Sequence, residues 1–442
     1  MKEPEAAPAA QGPMRRVLGN FGLLLRGRGV AAVMSFGATA LMARSLGPAE
    51  FGMVVLIEAY ALLARGLFSF KQFHAIVRYG VPLHDAHDTQ ALQRLISICR
   101  RMDLYACIAS TAIAFLLAPF VGSLMGVEPN HIVLLTAYSL VLLATGNNTD
   151  IGLLRLFDKF DVLGRQMTIG PGITFVGVTV AWWLDSPMFV FVAVLAFAYI
   201  TENVYLSWRG RREYHQRFDT PLKGAMVKLS GMDEFPGLRH FFWVTYWQSN
   251  VDLVPKRITL MLVGSLLGAT EAGLYRLARQ VSSLLSKPAT LIQQVIFPDL
   301  TRSWHQGSDD FKLIAYRTVL LGAGVGLALV LVGFFFGDLI LATLFGNAFV
   351  GAANLLVLLL LAGTFDLAGA PLRSAAYAIG LAGKVLRLHI VSAVIYLGLF
   401  VALTSQIGLM GAGWATCISV VLPTIALAIL IRRSTNNGSA PA

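Results

Sequence analysis

Apolar residues fill this chain in runs long enough to cross a bilayer, separated by short polar connections. A membrane-spanning helix needs about 20 mostly apolar residues. Twelve such spans are predicted, at roughly 29–45, 53–73, 103–125, 131–154, 167–184, 187–208, 241–263, 272–298, 318–345, 352–372, 388–406 and 412–431. The connections alternate in charge. Residues 1–28 carry five Lys or Arg, and the segments 74–102, 155–166, 209–240, 299–317 and 373–387 carry four, three, seven, three and three. The intervening connections carry none, with only Arg44 at the border of the first. Lys and Arg collect on the cytoplasmic side of membrane proteins, so both termini are expected there.

The pattern also divides the chain. The first fourteen residues are rich in Pro and Ala and are expected to be disordered. Residues 15–208 and 241–433 each hold six spans, 209–240 is the cytoplasmic linker, and 434–442 is a short tail. A repeat supports the division. Leu46-Gly47-Pro48-Ala49-Glu50-Phe51-Gly52 and Leu267-Gly268-Ala269-Thr270-Glu271-Ala272-Gly273 share Leu, Gly, Glu and the final Gly, each between the first and second spans of a half. Six spans per half make this a parallel repeat, as in transporters whose halves rock about a central site. In 87–101, Leu92, Leu95, Ile96 and Cys99 recur at helical spacing. An amphipathic helix on the membrane surface is the expectation there.

Polar residues inside the spans carry the candidate chemistry. Charged groups in hydrocarbon are costly and normally face a bundle interior or a water-filled cavity. Glu58, Arg65, Ser69 and Gln72 follow steps of seven, four and three in span two. Thr245, Ser249, Asp252, Lys256 and Thr259 share a face of span seven, beside Arg257. Arg276, Arg279, Ser283 and Lys287 share one of span eight. Span one adds Arg28, Ser35 and Thr39, and span ten adds Asp366, Arg373 and Tyr377. Arg65 lies about 18 Å from the first turn at 1.5 Å per residue. Arg28, Arg65, Lys256, Arg257, Arg276 and Arg279 are therefore candidate substrate-binding residues, and Glu58, Asp252 and Asp366 candidate ion-coupling residues. Lys71, Lys287 and Arg373 can also be read as snorkelling to the interface. Asp252 and Lys256 can be read as a self-neutralising pair. A net-cationic interior suits a pyrophosphate, because guanidinium groups bind phosphate oxygens in pairs and stay charged.

Composition agrees with a membrane protein. Of 442 residues, 56 % are hydrophobic and 13 % charged, against about 25 % charged in soluble domains; the mean hydropathy is +0.68. The net charge of +11 follows from the cytoplasmic connections and gives no reason to expect nucleic acid. Cys99, Cys107 and Cys417 have no motif spacing. No phosphate-cradling loop, zinc-ligand spacing or nucleophile elbow occurs, so neither catalysis nor a cofactor is expected. His84-Asp85-Ala86-His87-Asp88 could ligate a metal, but an interfacial loop is the better reading.

Asn20-Phe21, the stretch Ala43-Arg44-Ser45 leading into Leu46–Gly52, and Ala75-Ile76-Val77-Arg78-Tyr79-Gly80 resemble polysaccharide-biosynthesis flippases of the superfamily that also holds the multidrug exporters. Leu267-Gly268 with Ala272-Gly273-Leu274-Tyr275, Phe297-Pro298 and Leu344-Phe345-Gly346 are similar to that family's second half. The resemblance implies an all-α fold of two six-helix bundles around a V-shaped central cavity in the bacterial inner membrane. It implies translocation of an undecaprenyl-diphosphate-linked oligosaccharide for O-antigen or exopolysaccharide assembly, alongside membrane lipids and polysaccharide polymerase machinery. Related lipid II flippases carry two further spans, which argues against that substrate here. A drug or organic-cation antiporter driven by H⁺ or Na⁺ is the alternative, disfavoured because cations outnumber acids in the spans. A non-transporting scaffold for a synthase complex is a third reading.

Overall fold

The computed structural model describes residues 13–218, 229–283, 300, 302–303 and 310–436. Those residues form helices and short connections, without a strand among them. This follows from the solvent. Hydrocarbon offers no partner to backbone N–H and C=O groups, so each apolar run must satisfy them within itself. The predicted spans fall mainly in helix: span one and 53–67 of span two lie in Pro13–Leu67, the described part of span eight in 269–283, and the others in Thr89–Leu124, Pro129–Leu156, Phe160–Trp183, Met188–Arg217, Leu238–Leu267, Asp310–Phe345, Ala353–Ala378, Ala382–Ile407 and Leu409–Asn436. The remainder of span eight, 284–298, lies outside the described residues, as do 1–12 and 437–442 at the termini and 219–228 of the linker. Leu116, Phe120, Val133, Trp183, Phe334 and Phe335 are 68–79 % exposed. Such apolar rings and chains on the outside mark a surface meant for lipid rather than water.

The chain forms two compact units. One comprises Met1–Ser45, Tyr60–Val121 and Pro129–Val254; the other comprises Leu46–Ala59, Gly122–Glu128 and Pro255–Ala442. The first turn of the chain thus belongs to the second unit, and the change of unit falls inside the helix Leu238–Leu267.

The repeat explains why Leu46–Ala59 packs there. Gly47 has φ 69° and Gly268 φ 94°, and each ends one helix and admits the next. Only glycine enters that region without steric penalty. Five residues further on the two copies touch. A Cβ at Gly52 would lie 1.8 Å from the Ala269 carbonyl oxygen, and a Cβ at Gly273 would lie 2.7 Å from the Pro48 carbonyl oxygen and 3.2 Å from Gly52 Cα. The final glycines of the two motifs are therefore the crossing point of two backbones. Phe51 closes the same contact edge-on against Phe349, at 5.8 Å between ring centroids.

Two local expectations are corrected. The 87–101 segment is not a separate surface helix. It begins the 36-residue helix Thr89–Leu124, and Leu92, Leu95, Ile96 and Cys99 are at most 1 % exposed, packed against Ile76, Leu153, Tyr214, Phe235 and Leu238. Periodicity shows that one face is apolar; here protein, not lipid, covers it. The stripe from Glu58 to Gln72 is also interrupted. Its helix stops at Leu67, and Lys71, left-handed at φ 53°, starts the next, Gln72–Asp85. Gln72 thereby turns inward, fully buried, with no hydrogen-bond partner for its amide among the described residues.

Candidate functional site

In the first unit the chemistry gathers around a broken helix. The fourth span runs helically from Pro129 to Ser139, tightens to 3-10 geometry over Leu140–Thr145, breaks at Gly146 and Asn147, and resumes as Asn148–Leu156. A tightened, interrupted stretch inside a membrane helix frees backbone groups that need other partners. Asp103 supplies one: its carboxylate accepts the Thr149 backbone N–H at 2.6 Å, the Thr149 hydroxyl at 2.5 Å and the Asn148 amide at 3.3 Å. The new helix thus begins on a buried carboxylate, where its dipole favours negative charge. The residue after Thr149, Asp150, is fully buried and accepts from both Nη atoms of Arg100, at 2.7 and 2.9 Å.

The same break holds Arg65. Asn147 donates to the Asn203 side chain at 2.7 Å, Asn203 donates to the Tyr199 carbonyl at 2.8 Å, and Arg65 Nη1 donates to the Tyr199 hydroxyl at 2.5 Å. The guanidinium also lies 5.5 Å from the Tyr199 ring centroid. Glu202, on the same helix as Tyr199, feels the charge of Arg65 and accepts from the Gln166 amide. Its carboxylate occupies the space a Cβ on Gly170 would need. Arg65, Ser69, Asp103, Ser110, Thr145 and Asn148 line a narrow crevice of about 10 Å³.

From Arg65 a series of basic residues continues through this unit. The charge of Arg65 bears on Lys71, those of Lys71 and Arg155 on His74, and that of Arg28 on Arg155. Arg155 lies 4.3 Å over the Phe73 ring. Two candidates that are distant in sequence, Arg28 and Arg65, are thereby joined through Lys71, His74 and Arg155. Like charges held together in a membrane protein are a standing cost, and an anion relieves it.

The second unit carries a smaller cluster. Arg279 Nη1 donates to the Thr259 hydroxyl at 3.0 Å and lies 5.9 Å from the Tyr275 ring centroid. Tyr396 is hydrogen-bonded with Tyr275 and Thr416 and feels the Arg279 charge. Tyr396 also borders a cavity of about 250 Å³ that reaches His389, Asp366 and Arg373. Asp366 and Arg373 form an ion pair at 3.0 Å, so Arg373 is neutralised within its own helix. Arg257 and Arg276 are half-buried in this unit, as is Glu58 on the Leu46–Ala59 segment. Asp252 and Lys256 lie on the helix Leu238–Leu267 with side chains outside the described residues, and Lys287 lies wholly outside them.

Three buried or half-buried acids, Asp103, Asp150 and Glu202, escape the sequence reading, although all three fall within predicted spans, Asp103 at the first residue of its span. The signal available was Asn147-Asn148-Thr149-Asp150, four polar residues in a row near the end of an apolar run. The Arg100–Asp150 pair has a clear consequence. Removing one partner of a buried ion pair leaves the other uncompensated and costs about 3–5 kcal/mol. Arg100→Ala should therefore lower the amount of folded protein in membranes severalfold, measured by fluorescence-detected size exclusion, whereas Arg100→Ala with Asp150→Asn should recover part of the loss. Equal levels for wild type and Arg100→Ala would show that the pair is dispensable.

Comparison with known proteins places these features in a lineage. Residues 17–304 match a family described as polysaccharide biosynthesis protein. The "Inner membrane protein YghQ" of Escherichia coli (strain K12) is 23 % identical over 355 residues, covering 78 % of this chain and 97 % of that one. The "Putative O-antigen transporter" of Shigella flexneri is 22 % identical over 424 residues, covering 92 % and 96 %. Among solved structures, the lipid II flippase MurJ in an inward closed conformation superposes with a TM-score of 0.69 at 12 % identity, over 95 % of this chain and 87 % of that one. An inward-facing multidrug resistance MATE transporter of the MOP superfamily gives 0.67 at 15 % identity, over 97 % and 100 %. At such identities the structures speak for the fold.

Proposed function

The chain belongs to the polysaccharide biosynthesis protein family, and from that premise we propose that it carries an undecaprenyl-diphosphate-linked oligosaccharide across the bacterial inner membrane by alternating access. The observation that carries the substrate class is the set of cations Arg28, Arg155, Lys71 and Arg65 within one unit, with the His74 imidazole between Arg155 and Lys71. A diphosphate is strongly hydrated, and hydrocarbon offers nothing in exchange. Guanidinium groups replace that hydration with charge-assisted hydrogen bonds. In this reading each unit offers one principal diphosphate ligand, Arg65 in the first and Arg279 in the second, with Arg28 adding positive potential in the first and Arg257 and Arg276 in the second. Both arginines lie against tyrosine rings, an arrangement that positions the guanidinium fork. The sugar travels in water and the lipid tail in the bilayer.

The acids support this over a drug antiporter. An organic cation needs a carboxylate free to receive it. Among the described acids, Asp366 pairs with Arg373 and Asp150 with Arg100, and the charge of Arg65 acts on Glu202. Purified protein should accordingly bind farnesyl diphosphate and not ethidium in a thermophoresis titration; the reverse preference would support the antiporter.

The segregated Lys and Arg residues set the orientation: both termini and the 209–240 linker are cytoplasmic. Alkaline phosphatase fused after Arg217 or after Arg433 should be inactive, and green fluorescent protein at the same points should fluoresce. Active phosphatase at either position contradicts this orientation.

A further inference from the structure

We propose a second ligand site, a glycosyl-phosphate cleft on the cytoplasmic side of the first unit, built by Arg155 and Arg217 with Asp85 and Asp158. Its place on the cytoplasmic side rests on the orientation, and its role as a loading site on the transport reading given above. The cleft holds about 440 Å³ where three inner connections meet, and its lining is mainly polar: His84, Asp85, Arg155, Asp158 and Arg217, with Phe157 among the apolar walls.

Each arginine is braced by an aromatic ring. Arg155 lies 4.3 Å over Phe73 and Arg217 4.1 Å over Phe157. Stacking fixes the plane of a guanidinium while its N–H edge stays able to bind phosphate oxygens in pairs. His84 meets the edge of Phe157 at 5.6 Å, so the imidazole is held at the same wall. Positive charge exceeds what its nearest acid can offset. Glu213 is the common partner of Arg217 at 2.6 Å and of Lys159 and Arg209 at 4.0 Å each, one carboxylate for three cations. Arg155 meanwhile feels the charge of Arg28. A phosphate group answers both conditions.

The carboxylates narrow the class. Asp85 and Asp158 repel a bare phosphate but accept hydrogen bonds from sugar hydroxyls. A cleft with arginines and carboxylates therefore suits a phosphate that carries a sugar. Asp158 is held at φ 55°, a conformation uncommon for a non-glycine residue and tolerated by Asp, in the turn that links the fourth and fifth spans. The cleft also adjoins the cation series, because Arg155 belongs to both. A glycosyl diphosphate captured here is placed at the start of the Arg155, His74, Lys71, Arg65 sequence.

The test uses the full chain in phosphatidylcholine nanodiscs and three probes: farnesyl-diphosphate-N-acetylglucosamine, farnesyl diphosphate, and nanodiscs doped with phosphatidylglycerol. Binding is read by thermophoresis. Arg155→Ala with Arg217→Ala should weaken both farnesyl probes by at least about tenfold, the loss of one or two charge-assisted hydrogen bonds. Asp85→Asn with Asp158→Asn, which keeps shape, should weaken only the glycosylated probe. Unchanged binding of both probes by both double variants overturns the site. Equal weakening of the two probes by the Asn variant overturns the sugar assignment. Competition by phosphatidylglycerol that matches the glycosylated probe reduces the cleft to a headgroup contact and also overturns it. A cleft that behaves as expected while Arg65→Ala exports normally would spare this site and remove the transport reading; the opposite pair of results would do the reverse.

Discussion

Replacing Arg65 by alanine should abolish polysaccharide export in a deletion strain complemented with the variant, while the protein remains in the membrane. The expectation follows from the position of Arg65 at the junction of two networks. It is the inner end of the cation series and is also tied through Tyr199 and Asn203 to the break in the fourth span. A hydrogen bond to a charged group contributes about 1.5–3 kcal/mol, and a bidentate guanidinium makes two. A loss of roughly 100-fold or more in transport follows at about 1.4 kcal/mol per factor of ten. Arg65→Lys keeps the charge and loses the planar fork, so its defect should be smaller. Tyr199→Phe keeps the ring beneath the guanidinium and removes one acceptor, so severalfold loss is expected. Arg279→Ala should behave as Arg65→Ala does, because Arg279 has the same kind of support from Tyr275 and Thr259. Capsule or O-antigen staining gives the export, and immunoblots of membranes give the level. Normal export by well-expressed alanine variants at both positions would remove the diphosphate mechanism.

Gly52→Ala should reduce export at least about tenfold, as should Gly273→Ala. The added methyl at position 52 meets the Ala269 carbonyl oxygen at 1.8 Å, and the group in its way is backbone, which cannot rotate aside. Overpacking of well-packed sites costs typically about 1–3 kcal/mol. Here the cost falls only on states in which the two turns touch, so it shifts the population of conformations as well as stability. Because both glycines serve one crossing, the double variant should be little worse than either single one; coupled sites are not additive. Gly324 is the control. It is a helical glycine with open space around its Cβ position, and Gly324→Ala should export normally. Wild-type export from Gly52→Ala would mean that the crossing has no part in the transport cycle.

The helices were legible in the sequence because a bilayer imposes one requirement, about 20 apolar residues in a row. The chain meets it in a way that polar connections punctuate cleanly. The glycine repeat was legible too, and Gly47 and Gly268 show why its glycines stand where they do. What the repeat did not reveal is that Gly52 and Gly273 meet. Contact between segments 221 residues apart has no local signature.

The site was legible only in outline. Arg65 and Arg279 stood out because a cation in hydrocarbon is costly. Arg28 joins Arg65 only through Arg155, a residue in a connection, which looked like one more cytoplasmic charge. Glu202 and Asp150 are single acids in otherwise apolar helices, and each is compensated by an arginine from another helix. Period and composition describe one helix at a time. The interrupted fourth span was read as continuous because its broken stretch is still flanked by leucines. The amphipathic 89–101 face, although correctly placed, packs on protein for the same reason: hydrophobic spacing does not name the partner.

The most direct measurement is transbilayer movement itself. Purified protein would be reconstituted into phosphatidylcholine liposomes with an undecaprenyl-diphosphate-linked oligosaccharide loaded in the inner leaflet, and arrival outside followed with an external lectin. The account predicts protein-dependent arrival that Arg65→Ala and Arg279→Ala suppress to the rate of empty liposomes. Arrival at the wild-type rate with both variants, or none with the wild-type protein, would contradict it.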